Sequence, residues 1–153
     1  MATQLGAFID PDVIVLQSDA RTSEDVIRLL AAKLEARGYV KPSYADATVA
    51  RERELPTGLM LEGEHHVAVP HTDPHHVLRA GVAIATLRSP VVFANMEDPD
   101  ENVPVRIVFL LAINNKDQQI ETLQAIIATI QDAGKVERLT AATTLDEAKA
   151  VFG

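Results

Sequence analysis

Apolar and polar positions fall into blocks along the chain, and the period of the blocks switches repeatedly between that of a strand and that of a helix. Residues 12–17, Asp-Val-Ile-Val-Leu-Gln, predict a first strand. Thr22 then stands where a helix N-cap belongs, with Asp25 three positions on as in a capping box. Val26, Leu29, Leu30 and Leu34 recur at helical spacing, Arg28, Lys33 and Glu35 face outward, and Gly38 ends the helix. A second helix is predicted from Ser43 to Arg53, with Tyr44, Ala45, Thr48 and Val49 as a small inward stripe. Pro56-Thr57-Gly58 marks a turn. Val67-Ala68-Val69 predicts a short strand stopped by Pro70, which has no N–H for a ladder.

Asp73 to Val77 continues a loop or forms a short turn. Residues 80–87 and 90–93 predict two strands, and Glu97 to Asn102 an acidic hairpin loop. Val105 to Ile113 is the strongest strand, because a near-continuous branched apolar run fits a central position covered on both faces. A long helix follows, opened by Lys116-Asp117-Gln118-Gln119, striped by Ile120, Leu123, Ile126, Ile127 and Ile130, and closed by Gly134. Residues 136–139 form a short extended or helical link, and Leu145 to Phe152 a terminal helix with Asp146 and Glu147 in its first turn.

Composition narrows the picture. The chain has 153 residues, enough for one good core and short for two. With 47% hydrophobic residues but only 4% aromatic and no Trp, that core is built from Leu, Ile, Val and Ala, which suits an α/β layer architecture. The net charge of -8 and the lack of a Lys/Arg run argue against nonspecific nucleic-acid binding. Cysteine is absent, which excludes disulfides, thiolate zinc sites and cysteine nucleophiles. The Met1-to-Gly6 segment lacks the basic and apolar regions of a signal peptide, and no apolar run is long enough to span a bilayer. The expectation is a cytoplasmic protein without direct membrane insertion.

All five histidines lie at positions 65, 66, 71, 75 and 76. Imidazole titrates near neutrality, binds metals and is a good nucleophile, so three readings compete. In the first, His71, just past a strand end, carries a phosphoryl group, and Arg51 or Arg53 at the end of the second helix supplies a cation. In the second, a metal takes three or four ligands from His65, His66, His71, Asp73, His75 and His76, although adjacent histidines on a strand point to opposite faces. In the third, the histidines belong to a polar loop and merely bond to backbone, the favoured expectation for His65, His66 and His76.

The segment Glu52-Arg53-Glu54, Pro56-Thr57-Gly58-Leu59 and Val67-Ala68-Val69-Pro70-His71 resembles the type-2 enzyme IIA domains of the bacterial phosphoenolpyruvate-dependent sugar phosphotransferase system. That group serves fructose, mannitol and galactitol permeases and includes a nitrogen-regulatory relative. The Pro-Thr-Gly-Leu phrase looks most like the galactitol branch, and Val105 to Ala112 followed by a Gln-containing helix start also fits. The resemblance spans nearly the whole chain. It implies one enzyme IIA domain over residues 1–153, with a three-layer α/β fold: a central mixed β-sheet flanked by helices on both faces.

It further implies that His71 accepts a phosphoryl group from the phosphocarrier protein HPr and passes it to a sugar-specific enzyme IIB. The family's basic residue matches Arg53, with Arg51 the alternative. Where mannitol- and fructose-type members carry a second histidine, this chain has Gln118 or Gln119, as galactitol-like members do, so an amide replaces a potential cation. Thr57 is a further site candidate. No cofactor or metal is implied. A phosphorylation-dependent regulator using the same histidine is one alternative, and a histidine-cluster metal-binding protein another. The resemblance leaves His65, His66, His75, His76 and Asp73 unexplained.

Overall fold

The apolar blocks assemble into one twisted sheet with helices on either side. The computed structural model describes residues 9–152, so the Met1-to-Gly6 segment lies outside the described residues. In chain order the elements are β1 (Ile9–Ser18), α1 (Ser23–Ala36), α2 (Tyr44–Glu54), β2 (Gly58–Leu59), β3 (His66–Ala68), β4 (Gly81–Ala94), β5 (Asn102–Ala112), α3 (Lys116–Ile130), α4 (Ala133–Ala141) and α5 (Leu145–Phe152). The strand order is β1-β4-β5-β3-β2. β1 runs parallel to β4 and β3 parallel to β5, whereas β4–β5 and β2–β3 are antiparallel. The sheet is therefore mixed, with β5 at its centre as its apolar run predicts.

Period-two alternation divides the sheet between two cores. Ala83 and Ala85 of β4 and Val108 and Leu110 of β5 face one side, where α1 adds Val26, Ile27, Leu30 and Leu34 and α2 adds Tyr44 and Val49. Val82 and Ile84 of β4 and Ile107, Phe109 and Leu111 of β5 face the other, against Ile126 and Ile130 of α3, Leu139 of α4 and Val151 of α5. This is the expected three-layer α/β arrangement, with helices on both faces.

α1 begins and ends as its sequence predicts. The Thr22 hydroxyl accepts from Asp25 N–H at 3.1 Å. Gly38, at φ +79°, closes it, with Tyr39 N–H donating to the Leu34 carbonyl at 2.9 Å. α2 starts at Tyr44, and its buried residues are Tyr44, Thr48 and Val49.

Four expectations need correction. Gly58 is not the end of a turn but the first residue of β2, paired with Ala68 of β3, and a Cβ there would lie 2.5 Å from the Ala94 carbonyl oxygen. The stretches 80–87 and 90–93 are one strand, β4, whose ladder to β5 is interrupted between Thr86 and Val91; Pro90, lacking a donor, sits in the irregular part. In α3 the inward residues include Thr122 and Ile126, while Ile120 is 56% exposed and Ile127 also faces out. Finally, Gly134 does not close α3 but lies in the first turn of α4, which Asp132 caps by accepting from Lys135 N–H.

Candidate functional site

β3 has three residues, and the turn after it is fixed by backbone bonds from both sides. Val69 N–H donates to the Thr57 carbonyl at 3.3 Å on the β2 side. The Pro70 carbonyl accepts from Leu111 N–H at 3.0 Å on the β5 side. α2 grips this second side as well, because the buried Tyr44 hydroxyl donates to the Leu111 carbonyl.

The fixed turn presents His71, partly buried, with Nδ1 2.8 Å from the Val69 carbonyl. A carbonyl only accepts, so Nδ1 carries the proton and Nε2 keeps its lone pair. Burial lowers the His71 pKa, opposed by the Val69 bond; Arg51 lowers it further and Asp73 raises it. The ring is therefore neutral near neutral pH, with one nitrogen held and the other free to react.

The two arginines of α2 part company. Arg53 is 71% exposed and its guanidinium pairs with Glu24 at 2.8 Å, toward α1. Arg51 acts electrostatically on His71 and lies 3.8 Å from Asp73, a long pair that leaves it free to turn. Two residues along a helix are about 200° apart in phase, so both cannot face one site. Arg51 is thus the α2 arginine that acts on His71, whereas Arg53, the residue that the resemblance favours, pairs toward α1. The buried Nε of Arg51 has no hydrogen-bond partner among the described residues.

Thr57 is buried, and its hydroxyl and backbone N–H donate to the two oxygens of Glu52 at 2.7 and 2.8 Å. Its hydroxyl is thus committed, and Thr57 reaches the site through its carbonyl rather than as an open donor. Burial pushes the Glu52 carboxyl up to about 7 against the two Thr57 bonds. Neither Glu52 nor Tyr44 stands out in the sequence as a site residue. A carboxylate followed by Pro-Thr-Gly is the available signal for Glu52, since the exposed amide of a turn suits a carboxylate acceptor.

Gln118 and Gln119 stand in the first turn of α3, which begins shortly after β5 ends. Gln118 N–H donates to its cap, Asn115, and the Gln118 carbonyl accepts from Thr122. The Gln119 side-chain nitrogen is buried without a hydrogen-bond partner among the described residues. β3 and β5 are parallel, so the His71 turn and the α3 start leave the same edge of the sheet. An open α/β sheet commonly builds its sites at the carboxyl ends of its strands.

Comparison with known proteins decides what this edge belongs to. Residues 7–152 match the family described as "Phosphoenolpyruvate-dependent sugar phosphotransferase system, EIIA 2". The chain belongs to this family.

Among curated proteins, this type-2 EIIA domain is similar to the galactitol-specific EIIA component of Escherichia coli K12, 31% identical over 115 residues, or 75% of each chain. It is also 32% identical over 137 residues to the mannitol-specific EIICBA component of that organism, covering 88% of this chain and 20% of that one. Among solved structures it resembles a complex of enzyme IIAMTL and phosphorylated enzyme IIBMTL from Escherichia coli, with TM-score 0.76 and 30% identity over 94% of this chain and 96% of that one. Family membership makes the domain a phosphotransferase component that carries phosphoryl groups in sugar transport. Among the described residues no helix is long and apolar enough to cross a membrane.

The remaining histidines of this EIIA domain are dispersed rather than convergent. His65 faces Glu137 of α4 at 3.3 Å. His66 accepts from Leu61 N–H at 2.9 Å through Nδ1, a backbone bond as expected, but it does so buried in β3 and not from a polar surface loop. His76 pairs with the Ser43 hydroxyl at 2.8 Å, and His75 packs on His76. Asp73 pairs with Arg51 and leaves the His71 tautomer to Val69. Among the described residues no three His, Cys, Asp or Glu side chains are grouped to hold a metal ion.

Proposed function

We propose that the domain carries its phosphoryl group on Nε2 of His71, accepts it from the phosphohistidine of HPr, and passes it to an enzyme IIB of a hexitol permease of the galactitol or mannitol type. The observation that carries this reading is the Nδ1 bond to Val69, which leaves Nε2 as the reactive nitrogen of a neutral, partly buried ring. The Nε2 lone pair attacks phosphorus, the phosphorus–nitrogen bond to the HPr imidazole breaks, and that imidazole leaves with its electron pair. In the onward step the cysteine thiolate of enzyme IIB attacks phosphorus, and His71 leaves as the neutral ring it was.

Such transfer needs positioning and charge compensation more than covalent help. The unpartnered donors, Arg51 Nε and the Gln119 amide, suit phosphoryl oxygens. Arg51 supplies the charge and Gln119 a neutral donor; Gln118, whose backbone caps α3, is the second amide at that turn. The partner assignment is supported by the relative solved as a complex of enzymes IIAMTL and IIBMTL, and the sugar class by the curated relatives.

The test is a mixture of phosphoenolpyruvate, enzyme I, HPr and this protein, read by intact mass. The native chain gains one acid-labile phosphoryl group, and His71→Ala gains none. Equal labelling of both would move the site off His71, and no labelling of the native chain by carriers active on a control protein would end the carrier reading.

A further inference from the structure

Glu52 is a costly residue that phosphoryl chemistry does not obviously use. It is largely buried, and among the described residues it makes no ion pair: its chain neighbours Arg51 and Arg53 turn to Asp73 and Glu24. Burying a carboxyl without a cation is unfavourable unless its oxygens are hydrogen-bonded. Both oxygens are, and both to the same residue, Thr57.

Those bonds open a series that ends at the reactive ring. Glu52 accepts from Thr57 N–H at 2.8 Å and from its hydroxyl at 2.7 Å. The Thr57 carbonyl accepts from Val69 N–H at 3.3 Å. The Val69 carbonyl accepts from His71 Nδ1 at 2.8 Å. β2 itself has little to hold it, since its ladder to β3 is two residue pairs, Gly58 with Ala68 and Leu59 with Val67. A two-residue edge strand is marginal without further anchoring. Glu52 anchors it on the α2 side, and Met96 N–H, donating to the Gly58 carbonyl at 2.8 Å, anchors it on the β4 side.

We infer that Glu52 is a positioning residue for phosphoryl transfer: through Thr57 and Val69 it fixes the carbonyl that holds the His71 Nδ1 proton, and so keeps Nε2 as the nucleophile. The inference rests on the His71 reading above. It demands hydrogen-bond geometry rather than charge. A glutamine at position 52 can accept from Thr57 N–H with its oxygen and donate to the Thr57 hydroxyl with its amide, whereas alanine can do neither.

The experiment pairs two readouts on the full chain: the rate of phosphorylation by phospho-HPr, and the His71 tautomer from imidazole nitrogen chemical shifts. Glu52→Ala is expected to slow phosphorylation about 10-fold or more and to raise the population of the tautomer protonated at Nε2. Glu52→Gln is expected to stay within about 3-fold of native, with the native tautomer, because it keeps both bonds. Thr57→Val removes only the hydroxyl bond and is expected to fall between them.

A folded Glu52→Ala with the native tautomer and native rate would overturn the inference, as would a Glu52→Gln as impaired as the alanine variant. Should Glu52→Ala not fold, Thr57→Val decides: an unshifted tautomer and rate overturn the inference, and a shift in both supports it. A native chain that takes no phosphoryl group sinks the carrier reading instead, whereas an unshifted tautomer in Glu52→Ala sinks the positioning claim with the carrier reading intact.

Discussion

The loops on either side of β3 both carry histidine, and they are built differently. The loop before it, through Glu62, Gly63 and Glu64, is exposed and borders a cleft of about 480 Å³ with Ile130 and Val136 on its far wall. His65 ends that loop, and its partner, Glu137, is 65% exposed. The loop after β3 has carbonyls and amides paired to β2 and β5, and its histidine is partly buried with one nitrogen fixed. The imidazoles are chemically identical. A tautomer fixed by backbone held from two sides, in a partly buried ring, sets His71 apart.

Substitution of the two histidines is the most severe way to break this comparison. His71→Ala is expected to abolish phosphorylation, while His65→Ala leaves the rate near native, both read by mass in the reconstituted mixture. Next come the two arginines. Removing a charged donor to a transferring group costs about 100-fold, so Arg51→Ala should lose about that much. Arg53→Ala, which breaks only the pair with Glu24, should stay within about 2-fold. Equal losses would mean that the phase difference along α2 does not matter. Gln119→Ala, losing one neutral donor, should cost about 10-fold in the same assay.

A pH comparison sharpens the contrast through stability. The folded-state pKa of Glu52, about 7, lies above its ordinary value of 4.5. Its contribution is therefore fully present below the unfolded value and lost as pH rises to about 7. Glu52→Gln escapes that loss, so relative to native it should gain about 1–3 kcal/mol between pH 5 and pH 8 in denaturant titrations. A difference that does not change with pH would rule out the raised pKa. The smallest effect belongs to the exposed loop: Glu137→Gln should change stability by less than about 1 kcal/mol.

Much of this architecture is legible in the sequence, and the misses share a cause. β5 and α1 read correctly because their patterns are apolar in phase and their ends carry standard caps. α3 misleads because Thr122 buries itself by donating to its own i−4 carbonyl, Gln118, so a polar residue sits in the core while Ile120 faces out. β4 reads as two strands because Arg88-Ser89-Pro90 interrupts its pattern, yet the ladder resumes at Val91.

At the site, His71, Gln119 and the arginine pair are all visible as candidates. The choice of Arg51 over Arg53 depends on helical phase relative to a loop whose position no local pattern encodes. Thr57 is visible, but its role is not, because its partner Glu52 is hidden in an alternating charged run that looks solvated. Hydrogen bonds between distant elements leave the weakest trace in a sequence.

The pairing of β3 also bears on when the site comes into being. β3 joins β5, whose residues lie about 40 positions further along the chain, as in His66 with Val105 and Ala68 with Val108. Closing so long a loop is slow compared with forming α1 or α2. A chain still emerging, or one that has lost β5 to partial unfolding, lacks the Leu111 amide that holds the Pro70 carbonyl. The reactive geometry is thus acquired only once β5 is in place, which couples competence as a phosphoryl carrier to completion of the sheet.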